Sequence, residues 1–557
     1  MLATVLLALV PQGAVASSQP DATAVGLAVL EDGGNAVDAA IAVHFALAVT
    51  LPYAGNLGGG GFLLAREADG RDWLLDFRET APAAAHPELY LLEDGSFDPS
   101  ASLVGWKAAG VPGAVPGMWA AYERAGSLPW ARLVEPARRL AAEGFRLGGH
   151  EARRIAAARD HLARDPLAAR IFLDAAGRPL PAGTLVRQPE LAALLGRIAA
   201  EGEAPLREGP VVERLVAASD AGGGILTAAD FRDYRPELRE VVRLEWRGRT
   251  VLAAPPPSSG GIFLAHVLAG LEGAPLGLWG RDDARTVQLV GEATARAFAL
   301  RNRWLGDPAS MDLAPEDLLD PALLRARRRG LSPQVHTPPS RLGTLPAPVV
   351  EPERTTHFSV MDAAGGAVSC TTTLNGLFGA KVMAPDGFFL NNEMDDFAAR
   401  PGEPNMYGLV QSAANAVLPG RRPLSSMCPV IVLDADGRVD AVVGSPGGPT
   451  ILTTVLQVLL NRYVHGMSPR AAVAAPRFHR QDRPPHVQFE PARLGSGLRS
   501  RLGVIGQPLR VRERMGDVNA IFRLRGGGVE AVADPRSGGA AGVLEAELDQ
   551  SGVVAGE

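Results

Sequence analysis

Cysteine is scarce in this chain of 557 residues, which contains only Cys370 and Cys428. Two cysteines, both in the second half, supply neither a disulfide framework nor a cysteine-based metal site. A bridge between them is one interpretation, and buried free thiols are the one we favour. The segment from His150 to Arg154 begins like a zinc-protease helix but lacks the second histidine, so we expect no metal and no other cofactor.

A large excess of either charge is also absent. The formal net charge is −6, which gives no electrostatic case for nucleic acid binding. Hydrophobic residues make up 46% and charged residues 21%, as in ordinary globular proteins, so disorder is not expected. No Gly-Lys-Ser/Thr follows the glycines at 58–61, and no Gly-x-Ser-x-Gly occurs, which excludes a P-loop and a serine-hydrolase elbow.

No apolar run predicts a membrane span. The run at 36–52 is short and carries Asp38 and His44, so it is predicted to be a buried helix. Residues 1–10 are apolar and a small-x-small signal-peptidase site follows at 14–16, but the positively charged start of a signal peptide is missing. We interpret residues 1–12 as the remnant of an export signal or the product of a misplaced start codon. The expected location is periplasmic or secreted, with a cytoplasmic one left open.

The first part of the chain alternates helices with short strands, and its hydrophobic spacing and glycine stops locate them. The predicted elements are a helix from 20 to the glycines at 33–34, a helix over 37–49, a strand over 74–77 that ends at Arg78, mostly helical structure over 128–271 with a break at the prolines 255–257, and a helix over 284–301.

Residues 330–354 contain six prolines and almost no apolar periodicity, which predicts an extended surface segment. From Thr355 onward the pattern has a period of two, which predicts a strand, a turn at 363–366 and a second strand on which Thr373 and Asn375 share a face. In such a hairpin Thr355 lies opposite Thr373 only if the connection holds an odd number of residues.

Thr355, directly after Arg354, is the candidate nucleophile. A threonine at the start of a polypeptide has its own α-amine as general base, with an unperturbed pKa of about 7.7–8.0. To expose that amine, Thr355 Oγ would attack the carbonyl of Arg354 and form an ester that water opens. Taken alone, the segment better fits an ordinary threonine-rich strand, so the assignment depends on the motifs around it.

Eight motifs follow one another along the chain, at 32–40, 55–62, 76–82, 255–261, 354–360, 391–396, 422–427 and 444–448. In them the sequence closely resembles the γ-glutamyltranspeptidases, over nearly its whole length from about Gly13. The resemblance implies an α+β fold, the four-layer αββα sandwich of the N-terminal nucleophile hydrolases. It also implies self-cleavage between Arg354 and Thr355 into a large subunit, 13–354, and a small catalytic subunit, 355–557, which build the fold jointly.

The resemblance also implies the catalytic residues. Thr355 matches the nucleophile, and Thr373 matches the second threonine, whose hydroxyl orients it. Gly447 and Gly448 match the glycines whose N–H groups form the oxyanion hole, and such donors are typically worth about 2.7–4 kcal/mol of transition-state stabilisation. A threonine-rich strand and a Pro-Gly-Gly turn without these roles are the structural alternatives.

A γ-glutamyl group needs charges of both signs around its amino-acid head. Arg78 matches the arginine that holds the α-carboxylate through its guanidinium fork, and Ser425 and Ser426 match the hydroxyl pair beside it. Glu393 and Asp396 match the acidic pair that receives the α-ammonium. Taken separately, each of these residues has a structural explanation, such as a surface ion pair or a helix cap.

Two further matches complete the implied site. Asn375 matches a residue that assists the acidic pair, and Tyr407, in the loop 400–408, matches the aromatic residue of a lid over the glutamyl pocket. The chain departs from the family pattern at Arg354 and at Cys428, which replaces a small polar residue. Glu393 is glutamine in some relatives. These departures leave the cleavage rate and the substrate tuning open.

The resemblance implies a γ-glutamyl hydrolase and transpeptidase that acts on glutathione and related amides through an acyl-Thr355 intermediate. Water, amino acids or peptides would accept the glutamyl group. One alternative is a glutaryl or cephalosporin acylase, or a polyglutamate depolymerase, on the same scaffold. A glutaryl group has no α-amine, so Asp396 favours the first interpretation. Another alternative is an unprocessed relative that only binds γ-glutamyl compounds.

Overall fold

The computed structural model describes residues 13–98, 100–342, 355–398, 405, 409–493 and 495–544. Within these ranges two β-sheets stack face to face, and helices cover both outer surfaces. The predicted α+β sandwich of four layers is therefore confirmed. Arg354, Tyr407 and the proposed signal remnant at 1–12 lie outside the described residues.

The strands of the described part are short and mostly antiparallel. In chain order they are β1 (Ala14–Ser17), β2 (Gly60–Arg66), β3 (Asp72–Asp76), β4 (Phe145–Arg146), β5 (Leu185–Val186), β6 (Glu237–Arg239), β7 (Val242–Trp246), β8 (Arg249–Ala253), β9 (Thr355–Met361), β10 (Ala367–Thr373), β11 (Val430–Leu433), β12 (Val439–Gly444), β13 (Phe478–His479), β14 (Val487–Phe489), β15 (Leu509–Val511), β16 (Asn519–Arg523), β17 (Val529–Ala533) and β18 (Ala540–Val543).

The α-helices of the described part range from one turn to about six turns. They are α1 (Pro20–Glu31), α2 (Ala36–Thr50), α3 (Ala114–Ala125), α4 (Trp130–Glu143), α5 (Gly149–Ala157), α6 (Arg159–Leu162), α7 (Pro166–Phe172), α8 (Pro189–Glu201), α9 (Pro210–Ala221), α10 (Ala228–Asp233), α11 (Gly260–Leu271), α12 (Leu276–Trp279), α13 (Ala284–Trp304), α14 (Pro321–Ala326), α15 (Thr450–Tyr463), α16 (Pro469–Ala474) and α17 (Ser496–Val504). No helix among the described residues is long and apolar enough to cross a membrane.

The two large sheets mix strands from both sides of residues 343–354. The first has the order β18-β1-β9-β10-β2-β3-β6, and the second has the order β17-β16-β12-β11-β8-β7. In the first sheet β1 pairs with β18 and β9, and β2 pairs with β10, so strands from 13–342 are hydrogen-bonded to strands from 355–544. A cut before Thr355 would therefore leave two fragments that share both sheets. β1 lies between β9 and β18, so signal cleavage after Ala16 would damage the first sheet.

The hairpin of β9 and β10 presents different chemistry on its two faces. Phe358 and Val360 belong to the apolar core beneath α2, which is buried along its whole length. Ser359 and Ser369 face the second sheet, where their hydroxyls donate to the carbonyls of Asn519 at 2.8 Å and Val443 at 3.3 Å. The layer between the sheets is therefore partly polar and its hydroxyls are hydrogen-bonded, as burial requires.

Most predicted elements agree with the structure. α1 and α2 match the predicted helices, β3 ends two residues before Arg78, and α13 extends three residues beyond 301. The prediction of mostly helical structure over 128–271 is wrong at 237–253, where β6, β7 and β8 lie. In β7, Val242, Leu244 and Trp246 alternate with charged residues, a period of two that favours a strand.

Cys370 and Cys428 are both buried free thiols, as predicted. Burial raises the pKa of the Cys428 thiol to about 12 and raises that of Cys370 as well, so neither is a thiolate at neutral pH. The departure at position 428 therefore adds no reactive group.

Candidate functional site

Thr355 begins strand β9 and pairs with Thr373, the last residue of β10. The connection between the strands holds the five residues 362–366, so the odd number that this register needs is present. The two side-chain hydroxyls lie 3.4 Å apart, and Thr373 Oγ1 accepts the backbone N–H of Asn375 at 2.7 Å. Either of the two threonine hydroxyls could donate the hydrogen bond between them.

Glycines on the neighbouring strand let the backbone approach this pair closely. Gly60 lies opposite Thr373 in the register of β2 and β10. A Cβ at Gly59 would lie 2.0 Å from the Thr373 carbonyl oxygen, and one at Gly60 would lie 2.4 Å from the Phe77 carbonyl oxygen. Both distances are far below van der Waals contact, so only glycine fits at these positions. Glycine at both positions therefore lets neighbouring backbone pack closely beside the two threonines.

A cavity of about 310 Å³ opens beside the two threonines. It brings together all the predicted site residues that the structure describes except Gly447, and it adds Arg301, which the sequence interpretation missed. Its lining residues are Arg78, Arg301, Thr355, Thr373, Asn375, Glu393, Asp396, Leu409, Ser425, Ser426, Met427, Gly448 and Ile451.

Arg78 is the fully buried cation of this cavity. It follows β3, and its guanidinium nitrogens lie 2.6 Å from Glu393, 2.8 Å from Asp396 and 3.3 Å from Glu79. Burial disfavours the charge of Arg78, but the three carboxylates outweigh burial and raise its pKa. Arg78 Nε has no hydrogen-bond partner among the described residues, so one donor of the guanidinium remains for a ligand.

Burial acts on two of the carboxyl groups around Arg78. Burial raises the pKa of Glu79 to about 7 and that of Glu393 well above its usual range, against the attraction of Arg78. Asp396 is 13% exposed at its side chain and is the most accessible of the three. The sequence interpretation treated the cationic and anionic groups as separate poles, whereas the structure joins them in one buried network.

Arg301 is the functional candidate that motif matching overlooked. It lies near the end of α13, where Nη2 donates to Ser426 Oγ at 3.2 Å and Nε donates to Ser259 Oγ at 3.2 Å. Burial lowers its pKa to about 10, with Asp396 and Asp482 opposing, so the group stays charged at neutral pH. In the sequence, Arg301 has the same helical spacing as the apolar residues that form the buried face of α13. An unpaired charge on that face is costly, and this is the feature that could have identified it.

The serine pair is held by the segment before α11. Ser425 donates its N–H to the Pro257 carbonyl at 2.7 Å, and the Ser425 carbonyl accepts from the N–H and the hydroxyl of Ser259, both at 2.8 Å. Ser426 is the residue whose hydroxyl meets Arg301. Residues of the motif at 255–261 therefore hold the serine pair in place through hydrogen bonds, and they do not line the cavity themselves.

Gly447 and Gly448 form the turn between β12 and α15. Their φ angles of 139° and 53° lie in the region that favours glycine. Their carbonyls accept the N–H groups of Thr450 and Ile451, both at 3.1 Å, at the start of α15. No described residue accepts a hydrogen bond from either glycine N–H, so both donors are available at the positive end of a helix.

Gly447 and Thr355 also line a second, wider cavity of about 920 Å³. Thr355 therefore lies where two cavities meet, with Gly448 in the smaller and Gly447 in the larger. Among the described residues, no group of three or more histidine, cysteine, aspartate or glutamate side chains is arranged to hold a metal ion.

A four-layer sandwich with a threonine at the start of a central strand defines the class of N-terminal nucleophile hydrolases. A family model described as gamma-glutamyltranspeptidase matches residues 22–544. The chain is 42% identical over 537 residues to the glutathione hydrolase proenzyme of Pseudomonas aeruginosa, covering 95% of this chain and 94% of that protein. It is 38% identical over 527 residues to the glutathione hydrolase proenzyme of Escherichia coli, covering 94% and 90%.

Among solved structures, the chain resembles the cephalosporin acylase from Bacillus halodurans, with a TM-score of 0.84, 27% sequence identity and coverage of 98% of each chain. The chain belongs to the γ-glutamyltranspeptidase family. The resemblance stated from its motifs, and the expectation that it is an enzyme, are confirmed.

Proposed function

We propose that this protein hydrolyses and transfers γ-glutamyl groups, taken from glutathione and related amides, through an ester on Thr355. The observation that supports it best is the cavity in which Thr355 and Thr373 meet a buried arginine and two carboxyl groups. An amino-acid head carries one charge of each sign, and this cavity offers a partner to each.

Maturation would begin with attack of Thr355 Oγ on the carbonyl of Arg354. The peptide C–N bond breaks, the amine of Thr355 is released with a proton, and the resulting ester is hydrolysed by water. The products are the fragments 1–354 and 355–557. Strands of the two fragments pair with each other at three places in the first sheet, so the fragments would stay associated after the cut.

In catalysis the freed α-amine would take the proton of Thr355 Oγ as this oxygen attacks the γ-carbonyl of the donor. Thr373 would orient the attacking oxygen through its hydroxyl. The N–H groups of Gly447 and Gly448 would stabilise the developing oxyanion. The leaving amine departs with the proton, and water or an acceptor amine then releases the glutamyl group from the ester.

A nearby histidine does not compete for the role of base. His357, two residues after Thr355, is fully buried between the sheets, and burial lowers its pKa to about 3. Its ring nitrogens lie 2.8 Å from Thr371 Oγ1 and 3.1 Å from Ser359 Oγ. Because both nitrogens are engaged with strand hydroxyls, His357 serves packing, and the α-amine is left as the general base.

For the substrate head, we place the α-carboxylate against Arg78 Nε, Arg301 and the hydroxyls of Ser425 and Ser426. The α-ammonium would lie against Glu393 and Asp396, on the side of Asn375. The carboxylate of the head would pair with the arginines and its ammonium with the two acidic residues, so no charge would be left unpaired when it binds.

A glutaryl or cephalosporin acylase is the second candidate, because the similarity to a cephalosporin acylase extends over the whole fold. A glutaryl group would give Arg78 its carboxylate but would bring no cation to Asp396 and Glu393. The extra negative charge would then be poorly balanced in a buried cavity. The γ-glutamyl donor is therefore favoured.

A denaturing gel and two chromogenic donors test the proposal. Purified protein should convert into fragments of 354 and 203 residues, less any signal, and the small fragment should begin with Thr355 by mass spectrometry. Thr355→Ala should stay in one piece and be inactive. The mature protein should release p-nitroaniline from γ-glutamyl-p-nitroanilide faster than from glutaryl-p-nitroanilide, and glycylglycine should accelerate it. A single uncut chain that turns over substrate would refute the mechanism.

A further inference from the structure

The second cavity meets the first at Thr355, on the side of Gly447. If the glutamyl head occupies the smaller cavity, the departing amine of the donor must lie in the larger one, because the scissile bond is attacked at Thr355. The inference that follows rests on the proposed function and concerns this leaving-group side. The larger cavity opens on the side of Gly447, where the departing part of a donor would extend.

The lining of the larger cavity is strongly cationic. It contains Arg154, Arg512, Arg514 and Arg536, against Asp517 as the acidic side chain among its described lining residues. Arg536 is balanced by its own carboxylates, since its nitrogens lie 2.7 Å from Glu490 and 3.0 Å from Asp534. Arg154 and Arg514 outnumber Asp517, so the described lining keeps a positive balance without counting Arg512 or Arg536.

Two of these arginines are held by neutral acceptors. Arg154, on α5, donates from Nε to His150 Nε2 at 3.3 Å, and Arg514, beyond β15, donates to the Arg536 carbonyl at 2.8 Å. Neither forms an ion pair with a carboxylate among the described residues. Asp517, whose carboxylate accepts the hydroxyl of the neighbouring lining residue Ser537, is a single negative charge against these two arginines. The cavity thus presents two separate cationic points from different parts of the fold.

A guanidinium without a protein carboxylate recognises carboxylates well, through paired N–H donors. Two such groups on different elements suit a ligand with two carboxylates rather than one. We infer that the leaving-group side of this enzyme selects anionic amines, and that donors whose departing part carries two or more carboxylates are preferred. The substrate class is γ-glutamyl peptides that continue into an acidic residue, including γ-linked glutamyl oligomers.

A matched pair of donors tests this preference. γ-Glutamylglutamate and γ-glutamylglutamine differ only by a carboxylate against an amide in the departing residue. Since kcat/KM covers binding and acylation, it reports the leaving-group contacts directly. We expect kcat/KM for the glutamate donor to exceed that for the glutamine donor by about threefold to tenfold at low ionic strength. The ratio should shrink toward one in about 0.5 M salt, where charges are screened.

Variants assign the effect to the arginines. Arg154→Gln and Arg514→Gln should each lower the ratio of the two kcat/KM values, and the double variant should bring it close to one. Arg499→Gln, on the exposed part of α17 and outside the lining of both cavities, should leave the ratio at the wild-type value. Complete self-cleavage and an unchanged melting temperature would show that each variant is folded.

The outcomes separate this inference from the proposed function. Equal kcat/KM values for the two donors in the wild-type protein would overturn the inference, and so would a ratio that survives in the folded double variant. In both cases turnover of γ-glutamyl-p-nitroanilide would leave the proposed function standing. Failure with every γ-glutamyl donor, the anilide included, would instead refute the proposed function.

Discussion

Arg78 and Asp396 are 318 residues apart in the chain and lie in direct contact, with 2.8 Å between Arg78 Nη2 and Asp396 Oδ2. The pair joins the end of β3 to the short helical turn Glu393–Asp396. A cation and an anion that neutralise each other are stable in a buried cavity without a ligand. An amino-acid head carries both charges. Its carboxylate can replace Asp396 beside Arg78, and its ammonium can replace Arg78 beside Asp396.

Arg78→Lys should weaken capture of γ-glutamyl donors. Lysine keeps the charge but loses the planar fork, so it can satisfy neither three carboxyl groups nor a bidentate ligand. We expect kcat/KM for γ-glutamyl-p-nitroanilide to fall by about 10- to 100-fold, mainly through KM, as the loss of charge-assisted hydrogen bonds worth about 1.5–3 kcal/mol implies. Steady-state kinetics on the matured variant measure this.

The control for Arg78→Lys is Arg480→Lys. Arg480 lies 2.7 Å from Glu292, and both side chains are buried outside the lining of both cavities, so the same change there disturbs a buried ion pair without touching the substrate. An unchanged KM in Arg78→Lys, or an equal rise in Arg480→Lys, would remove the proposed role of Arg78.

Asp396→Ala should change selectivity more than it changes chemistry. The variant removes the most accessible acidic group of the cavity and leaves Arg78 for the carboxylate. We expect the preference for γ-glutamyl over glutaryl p-nitroanilide to fall by about tenfold or more, since a lost charged hydrogen bond is worth about 1.5–3 kcal/mol. Equal losses for both donors would show that Asp396 does not receive the ammonium.

Motifs located most of the cavity because its residues occur in short, well-spaced groups. Thr355, Thr373 and the serine pair could each be matched to a residue of the family. The hairpin register then depended only on whether the connection between the strands holds an odd number of residues. The contact of Arg78 with Asp396 could not be predicted, because it depends on how distant segments pack. Arg301 was missed for the same reason, since an isolated arginine in a helix resembles a surface residue until its face is known.

Strands β7 and β8 were overlooked for a different physical reason. Each is five residues long, so its pattern extends over too few residues to stand out within a long region of mostly helical signals. Their place is fixed by β11, whose residues 430–433 pair with β8 from a remote part of the chain. Sheet partners that come from a remote part of the chain are beyond what a local pattern can indicate.

Asp482→Asn should alter the pH dependence of stability. Burial raises the pKa of Asp482 to about 6, while Asn302 donates to it at 3.1 Å and holds it near Arg301. A carboxyl with a raised folded pKa stabilises the fold fully below its unfolded pKa, near 3.9, and that contribution is lost as pH rises toward 6. Asparagine does not ionise, so the free energy of unfolding of the variant does not undergo this loss as pH rises.

The difference in free energy of unfolding between Asp482→Asn and the wild type should therefore shift in favour of the variant by about 2 kcal/mol between pH 4 and pH 7, since each pKa unit is worth about 1.36 kcal/mol and the unfolded carboxyl is already about half ionised at pH 4. Urea unfolding at both pH values measures it. Asp436→Asn, at an aspartate whose side chain is 66% exposed, is the control and should show little shift. A pH-independent difference in Asp482→Asn would contradict the burial of an ionisable group there.

Thr373→Val tests whether the second hydroxyl orients the nucleophile. Valine keeps the shape of the side chain but cannot donate to Thr355 Oγ1, 3.4 Å away. We expect kcat to fall by about 10- to 100-fold and self-cleavage to slow, with little change in KM, because Thr373 would not bind the glutamyl head. Thr373→Ser, which restores the hydroxyl, should return kcat to within about threefold of wild type.

The matched control is Thr372→Val, one residue earlier on β10. Its hydroxyl donates to the Gly60 carbonyl at 2.9 Å and accepts from Asn56, away from the cavity. That variant loses a buried hydrogen bond too, so it should lose about 1–2 kcal/mol of stability while the mature enzyme keeps its kcat. If both valine variants lose kcat equally, the effect comes from disturbing the strand, and the orienting role of Thr373 fails.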